Sequence, residues 1–362
     1  MAKQTIIPFG PQHPVLPEPV HLDLVVEDET VVQAIPRIGF VHRGLEKLVE
    51  KKDYTQFVFV TERICGICSF GHSLGYSQTI EHLMGIEVPP RAEYLRVILH
   101  ELSRVHSHLL WLGLGADAFG FENLFMQCWR IRERVLDIFE KTTGGRVVLS
   151  ACNVGGTLYD IDDETLKGIC ATLDVVRREY DAILGAFLND YSVRSRLEGV
   201  GYLSQQQARD LSIVGPFARA SNVNNDVRCL RQGGYAYLES FEPIMSDGGD
   251  CLARVIVRAK EVYQSIDIIK ELAAKIPAGP VMNAPKGKPA AGTQASMRLE
   301  QPRGECYYYA KGNGSMFLER MRIRTPTSQN LGGLVVALAG CDLADVPNIV
   351  LTIDPCISCT ER

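Results

Sequence analysis

Hydrophobic and polar positions change their period along the chain, and the change predicts where each element lies. Residues 20–35, VHLDLVVEDETVVQAI, alternate, predicting two short strands joined by the acidic turn EDET. The segment before them carries Pro8, Gly10, Pro11, Pro14, Pro17 and Pro19 and reads as an extended lead-in. From Arg91 to Trp111, the residues Leu95, Ile98, Leu99, Leu102, Val105, Leu109 and Leu110 recur at helical spacing behind Pro89-Pro90. Further helices are predicted from about Glu122 to Thr143, stopped by Gly144-Gly145, and from near Asp162 towards Asn189. Another runs from about Asp250 to Lys275 and ends at Pro277. Ser204-x-x-Gln207 is a capping-box pattern that opens a shorter helix before Gly215-Pro216. Residues 277–304, rich in Pro, Gly and Ala, read as a long loop. CYYYA and MFLERMRIR, separated by KGNG, predict a hairpin. A helix from about Ser328 to Ala339 and a strand from Asn348 to Ile353 lead into the terminal DPCISCTER.

These elements sum to an α+β fold that is mainly α-helical, one unit over residues 1–362. An N-terminal β-hairpin is expected at about 20–35, a helical core at about 65–275, and a C-terminal hairpin and tail at about 305–362. The composition is that of a soluble globular chain: 46% of its 362 residues are hydrophobic and 22% charged. A net charge of −5 lacks the basic footprint of a nucleic-acid binder. No apolar run reaches the roughly 18 residues of a membrane helix. The best candidate, from Leu331 to Gly340, stops at Cys341-Asp342. The N-terminus shows no apolar core of signal-peptide length, so a cytoplasmic location is expected. There, 11 cysteines are not a disulfide framework.

Two CxxC pairs stand out, Cys65-Gly-Ile-Cys68 and Cys356-Ile-Ser-Cys359. Four thiolates can hold a soft metal, and each CxxC turn puts both sulfurs on one side of the backbone. On the pairs alone, a structural zinc site is an equal alternative. Zinc ribbons, however, separate their pairs by about 15–20 residues, whereas here nearly the whole chain intervenes.

TERICGICSFGH and DPCISCTER resemble the paired cysteine signatures of nickel–iron hydrogenase large subunits. GPQHP at 10–14, GFVHRGLEKL at 39–48, HELSRVHSHLLWLG at 100–113 and PRGE at 302–305 extend the likeness along the chain. The GPQHP and HRGLEKL blocks are shared with the quinone-site subunit of respiratory complex I. The resemblance is therefore to the membrane-associated, energy-converting hydrogenases. The complex I relatives have lost the cysteine pairs, and this chain has both.

That resemblance implies a hydrogenase large-subunit-like fold and a Ni-Fe centre held by Cys65, Cys68, Cys356 and Cys359. Cys68 and Cys359 would bridge to an iron that carries cyanide and carbonyl ligands. The reaction would be H2 ⇌ 2 H+ + 2 e−. The other reading, of a different class, is a non-catalytic complex I-like scaffold with a four-cysteine zinc site. His72 would hydrogen-bond a bridging sulfur, Glu18 would relay protons, and Arg303, oriented by Asp354, would overhang the metals. Glu62 and Arg63 are equally read as a structural ion pair. Glu46 matches a carboxylate that binds a second Mg or Fe ion in many relatives. Those relatives end in histidine where this chain has Arg362, so pairing of Glu46 with Arg362 or Lys47 stands as an alternative. The resemblance also implies a last segment that folds inward over the metals. His13, His42 and Arg43 shape a proton path or support the fold. His100, His106 and His108 are read as polar core residues, since 106 and 108 point apart on a helix. The other seven cysteines lack ligand spacing, and no iron–sulfur motif is present. Expected partners are a small subunit with an iron–sulfur cluster, complex I-like soluble and membrane subunits and a ferredoxin-type carrier, on the inner face of a membrane.

Overall fold

In a computed structural model that describes residues 4–14, 16 and 18–362, Gln4–Phe9 (β1), His21–Glu27 (β2) and Thr30–Arg37 (β3) form an antiparallel sheet in that order. Leu22, Leu24 and Val26 are buried while their alternates are not, as the period of two requires. Strand β1 lies in the proline-rich lead-in, where the sequence predicts none. Pro8 is tolerated because, among the described residues, β1 is an edge strand with no outer partner to donate to. Pro17 lies outside the described residues.

A helical run follows: Leu45–Leu48 (α1), Tyr54–Thr61 (α2), Ser69–Met84 (α3), Pro90–Ala118 (α4) and Glu122–Thr143 (α5). Gly144, at φ 78°, ends α5 where the sequence places the stop. Cys152–Asn153 (β4) and Gly156–Thr157 (β5) form a two-residue ladder before Asp163–Asn189 (α6), whose cap Asp162 accepts the Thr165 N–H. Tyr191–Ser195 (α7), Gln205–Asp210 (α8), Pro216–Arg219 (α9) and Cys251–Lys275 (α10) complete the run, with the Ser204–Gln207 capping box formed at α8.

Helix α4 is the axis of the molecule. It packs against α5 and α10, and side chains on all its faces are buried. Its charged groups are paired inside the fold. Glu101 accepts from Arg104 at 3.1 Å and Ser265 at 2.6 Å, and also from Tyr235. His108 meets Glu261 at 2.9 Å and His100 meets Tyr235 at 3.0 Å. Burial pushes His100 and His106 down to about 3, so both are neutral core residues.

Gln294–Gln301 (β6), Gly304–Gly312 (β7) and Leu318–Arg324 (β8) form a second antiparallel sheet. The predicted loop 277–304 thus ends in a strand, because Gln294–Gln301 pairs with β7 along its whole length. The chain finishes in Pro326–Leu338 (α11), Val346–Ile353 (α12) and Ile357–Glu361 (α13). Helix α12 overturns the strand predicted at 348–353. Its β-branched residues favour a strand, but Pro347 in the first turn starts a helix and packing against α10, α11 and α4 fixes it. No helix among the described residues is long and apolar enough to cross a membrane.

Candidate metal centre

The two cysteine pairs, 291 residues apart, are brought together in the interior. Cys65 lies between α2 and α3, and Cys68 is the residue on which α3 starts. Cys356 caps α13. Each pair is bent by an N–H···S bond, from Ile67 to Cys65 Sγ at 3.3 Å and from Cys359 to Cys356 Sγ at 3.4 Å. The pairs face each other crosswise, with Cys65 Sγ 3.3 Å from Cys356 Sγ and Cys68 Sγ 3.4 Å from Cys359 Sγ. The sulfurs of Cys65, Cys68 and Cys359 all lie within 4.8 Å of one another. All four cysteines are buried. Among the described residues, this is the one His, Cys, Asp or Glu group spaced to hold a metal ion.

The expected neighbours surround the sulfurs. His72, one turn into α3, points Nε2 at Cys359 Sγ (3.3 Å) and Nδ1 at the Tyr308 hydroxyl (2.6 Å). Arg303, in the β6–β7 turn, donates from Nη2 to Asp354 Oδ1 at 2.7 Å and from Nε to the Asp354 carbonyl at 2.9 Å. Asp354 adopts φ 59° as the C-cap of α12, and that bend aims both acceptors at the guanidinium. Glu18 reaches the tail from the other side. Its carboxylate accepts the N–H groups of Ile357 and Ser358 and the Ser358 hydroxyl, and lies 3.9 Å from Cys356 Sγ.

The tail is locked by residues from both ends of the chain. Arg43 donates to the carbonyls of Arg63 (2.7 Å), Ile64 (2.8 Å) and Ser358 (3.1 Å), tying one CxxC segment to the other. His42 donates to the Glu361 carbonyl at 2.6 Å, and the Glu361 carboxylate accepts the Gly39 and Val41 N–H groups. Glu46 Oε1 accepts Arg362 Nε and the Ile323 N–H, each at 3.0 Å, and Oε2 accepts Arg322 at 3.0 Å. Both of its oxygens are therefore engaged by cations and an amide. His13 stacks on Phe9 at 4.2 Å. The Glu62–Arg63 pair forms at 3.4 Å, with Glu62 buried and also accepting from Ser150. Burial raises the Glu62 carboxyl above its ordinary value.

The sequence does not single out Tyr308, Thr325 or Thr327. Thr327 accepts the Cys356 N–H at 3.0 Å, and Thr325 donates to the Cys359 carbonyl at 3.1 Å. Pro326 marks the helix start that presents both threonines. The strand period in CYYYA separates the buried Tyr308 from its half-exposed neighbours Tyr307 and Tyr309.

The electrostatics suit a cation. Hydrogen bonds from Cys356, Cys359 and Cys65 hold the Cys68 thiol well below its ordinary value, whereas burial and the adjoining sulfurs push Cys359 well up. Charge on one sulfur thus opposes charge on the next, an opposition that a soft cation bound among them would relieve. Burial opposes the Arg303 charge, but Asp354 and the neighbouring cysteines outweigh it and hold the guanidinium well above its ordinary value. Among the described residues, Asp354 Oδ2 and Gln301 Nε2 are buried without a hydrogen-bond partner. The donor set fits a soft metal centre with further ligands.

Two family models match the chain. The family described as respiratory-chain NADH dehydrogenase, 49 Kd subunit, matches residues 118–291 and 286–362. The nickel-dependent hydrogenase family matches residues 43–113, which contain the first cysteine pair. The chain is 38% identical to the carbon monoxide-induced hydrogenase of Rhodospirillum rubrum over 98% of its own length and 99% of that protein's. It is 35% identical to the membrane-bound hydrogenase subunit alpha of Pyrococcus furiosus, covering 98% of this chain and 87% of that one. A solved chain from the membrane-bound sulfane sulfur reductase, an archaeal respiratory membrane complex, superposes with a TM-score of 0.92. It is 30% identical, over 99% of this chain and 98% of that one.

Proposed function

Because this chain belongs to the family that unites energy-converting hydrogenase large subunits with the 49 kDa subunit of respiratory NADH dehydrogenase, we propose that it is the catalytic subunit of a nickel–iron hydrogenase. The observation that supports this reading over a scaffold with structural zinc is the company the four sulfurs keep. Glu18, His72 and Arg303 each direct a polar group at the cysteine-bearing segments, and a metal that only stapled the chain would need none of them.

Cys65, Cys68, Cys356 and Cys359 would hold a nickel–iron centre. When bound, this centre supplies the site at which H2 and 2 H+ + 2 e− are interconverted. The chain's own residues manage protons and charge. Glu18 is placed to take a proton from the Cys356 sulfur and pass it outward. Arg303, held by Asp354, would supply a fixed positive charge that the cysteines feel. His72, with Nε2 3.3 Å from Cys359 Sγ, would donate to that sulfur and temper its electron density. Glu46 ties down the tail through Arg362 and Arg322, which supports the pairing alternative to a second Mg or Fe ion. Electrons pass to an iron–sulfur partner subunit and a ferredoxin-type carrier, and the assembly lies on the inner face of a membrane. The relatives named above support the membrane association.

Substitution of the sulfurs tests the assignment. Cys68→Ser and Cys359→Ser are each expected to abolish hydrogen activity and the binding of both metals. Cys65→Ala is expected to inactivate while leaving iron in place. Wild-type hydrogen evolution from either Ser variant would end the assignment.

A further inference from the structure

The contact between α3 and the second sheet carries a feature that the proposed chemistry does not itself require. Tyr308, on β7, is fully buried, and its hydroxyl lies 2.6 Å from His72 Nδ1. His72 is equally buried, and its other ring nitrogen faces Cys359 Sγ at 3.3 Å. The approach is built in. Gly75 follows His72 by three residues on the same face of α3, and a Cβ there would lie 2.9 Å from the Tyr308 ring and 2.6 Å from Leu299. Only glycine lets the sheet come this close.

A neutral imidazole has one N–H and one lone pair, so the partner of one nitrogen decides the state of the other. A buried phenol must donate its proton to some acceptor, and burial pushes Tyr308 well above its ordinary value, so the O–H is retained. Donation into Nδ1 puts the imidazole hydrogen on Nε2, where it points at the sulfur. The opposite tautomer would set a nitrogen lone pair against Cys359 and leave the phenol O–H with nothing to bond. We propose that Tyr308 is a positioning residue that fixes the His72 tautomer, and through it the N–H···S bond to Cys359. This rests on the metal-centre reading only in that Cys359 is taken to carry metal. An N–H···S bond withdraws electron density from the sulfur, so its loss leaves the metals more electron-rich.

Tyr308→Phe removes the hydroxyl and keeps the ring. In the intact complex it should retain nickel, lose about 10- to 100-fold in hydrogen turnover, and shift the infrared bands of metal-bound carbonyl and cyanide to lower frequency. The double variant Tyr308→Phe/His72→Gln should match His72→Gln alone, because the tyrosine acts through the histidine. Nitrogen-15 spectra of protein loaded with zinc, a diamagnetic metal that also takes Cys359 as a thiolate, give a readout that needs no nickel. The His72 resonances, identified by their absence in His72→Gln, should report a lone pair on Nδ1, and Tyr308→Phe should move them. Absence of nickel and of the bands in the wild-type complex would overturn the metal-centre reading and leave the nitrogen spectra to decide on Tyr308. Unmoved His72 resonances in Tyr308→Phe, or additive losses in the double variant, would overturn the role given to Tyr308.

Discussion

At the scale of single residues, charge and proton-carrying capacity can be separated from shape. Glu18 accepts three hydrogen bonds from the α13 start and also touches Cys356. In Glu18→Gln the amide oxygen can still accept the backbone N–H groups, and its NH2 can donate to the Ser358 hydroxyl. The site should assemble, yet no proton can be carried. Turnover is expected to fall by roughly 10²- to 10⁴-fold, and hydrogen–deuterium exchange with solvent should fall with it. Near-normal exchange in Glu18→Gln would place the relay elsewhere. Asp354→Asn isolates charge in a different way. Asn tolerates the left-handed backbone at this position, and the bond from Arg303 Nε to the backbone carbonyl survives. What remains is a buried guanidinium without its carboxylate, and the cost is expected to be roughly 3 kcal/mol in a chemical-denaturation measurement. A change within a few tenths of a kcal/mol would show that the thiolates alone hold Arg303.

At the scale of elements, the site depends on close backbone contacts that hold its segments in register. The turn that carries Arg303 rests on Gly215, where a Cβ would come 2.3 Å from the Arg303 carbonyl oxygen and 2.4 Å from the Gly304 Cα. Gly215 also sits at φ 72°, so Gly215→Ala is penalised twice. It should shift the β6–β7 turn, lower the melting temperature and reduce hydrogen activity, although residue 215 touches no sulfur. Unaltered activity would mean that the turn has slack. Elements whose signals are local were legible in the sequence: α5 with its glycine stop, α6 with its Asp162 cap and the α8 capping box all formed where the pattern put them. Elements decided by distant partners were not. Strand β6 exists through pairing with β7, and α12 is a helix through packing on α10, α11 and α4. The candidate site divides in the same way. The cysteines, His72, Glu18, Arg303 and Asp354 have motif contexts, whereas Tyr308, Thr325 and Thr327 acquire their place only when the sheet and tail meet α3 and α13.

At the scale of the molecule, the buried polar axis along α4 ties stability to pH. Free histidine titrates near 6.5, and in the fold His100 and His106 are pushed down to about 3. Below 6.5 the unfolded chain therefore binds protons that the folded chain refuses. Stability that is complete above 6.5 is lost as pH falls towards 3. Glu300 works the other way: burial raises it from 4.5 to about 7, so its contribution is lost as pH rises through that window. In urea unfolding series, His106→Gln should flatten the acid loss and Glu300→Gln should steepen it. Identical slopes in all three proteins would mean that these groups are not held as described. The wider arrangement brings the tail that bears Cys356 and Cys359 against Cys65 and Cys68 and buries all four sulfurs, as the proposed nickel–iron centre would need. Infrared spectroscopy of the purified complex, with metal analysis of the same sample, tests that claim most directly. Bands from metal-bound cyanide and carbonyl are expected, with nickel and iron equimolar with the chain. Equimolar zinc, no nickel and no such bands would contradict it.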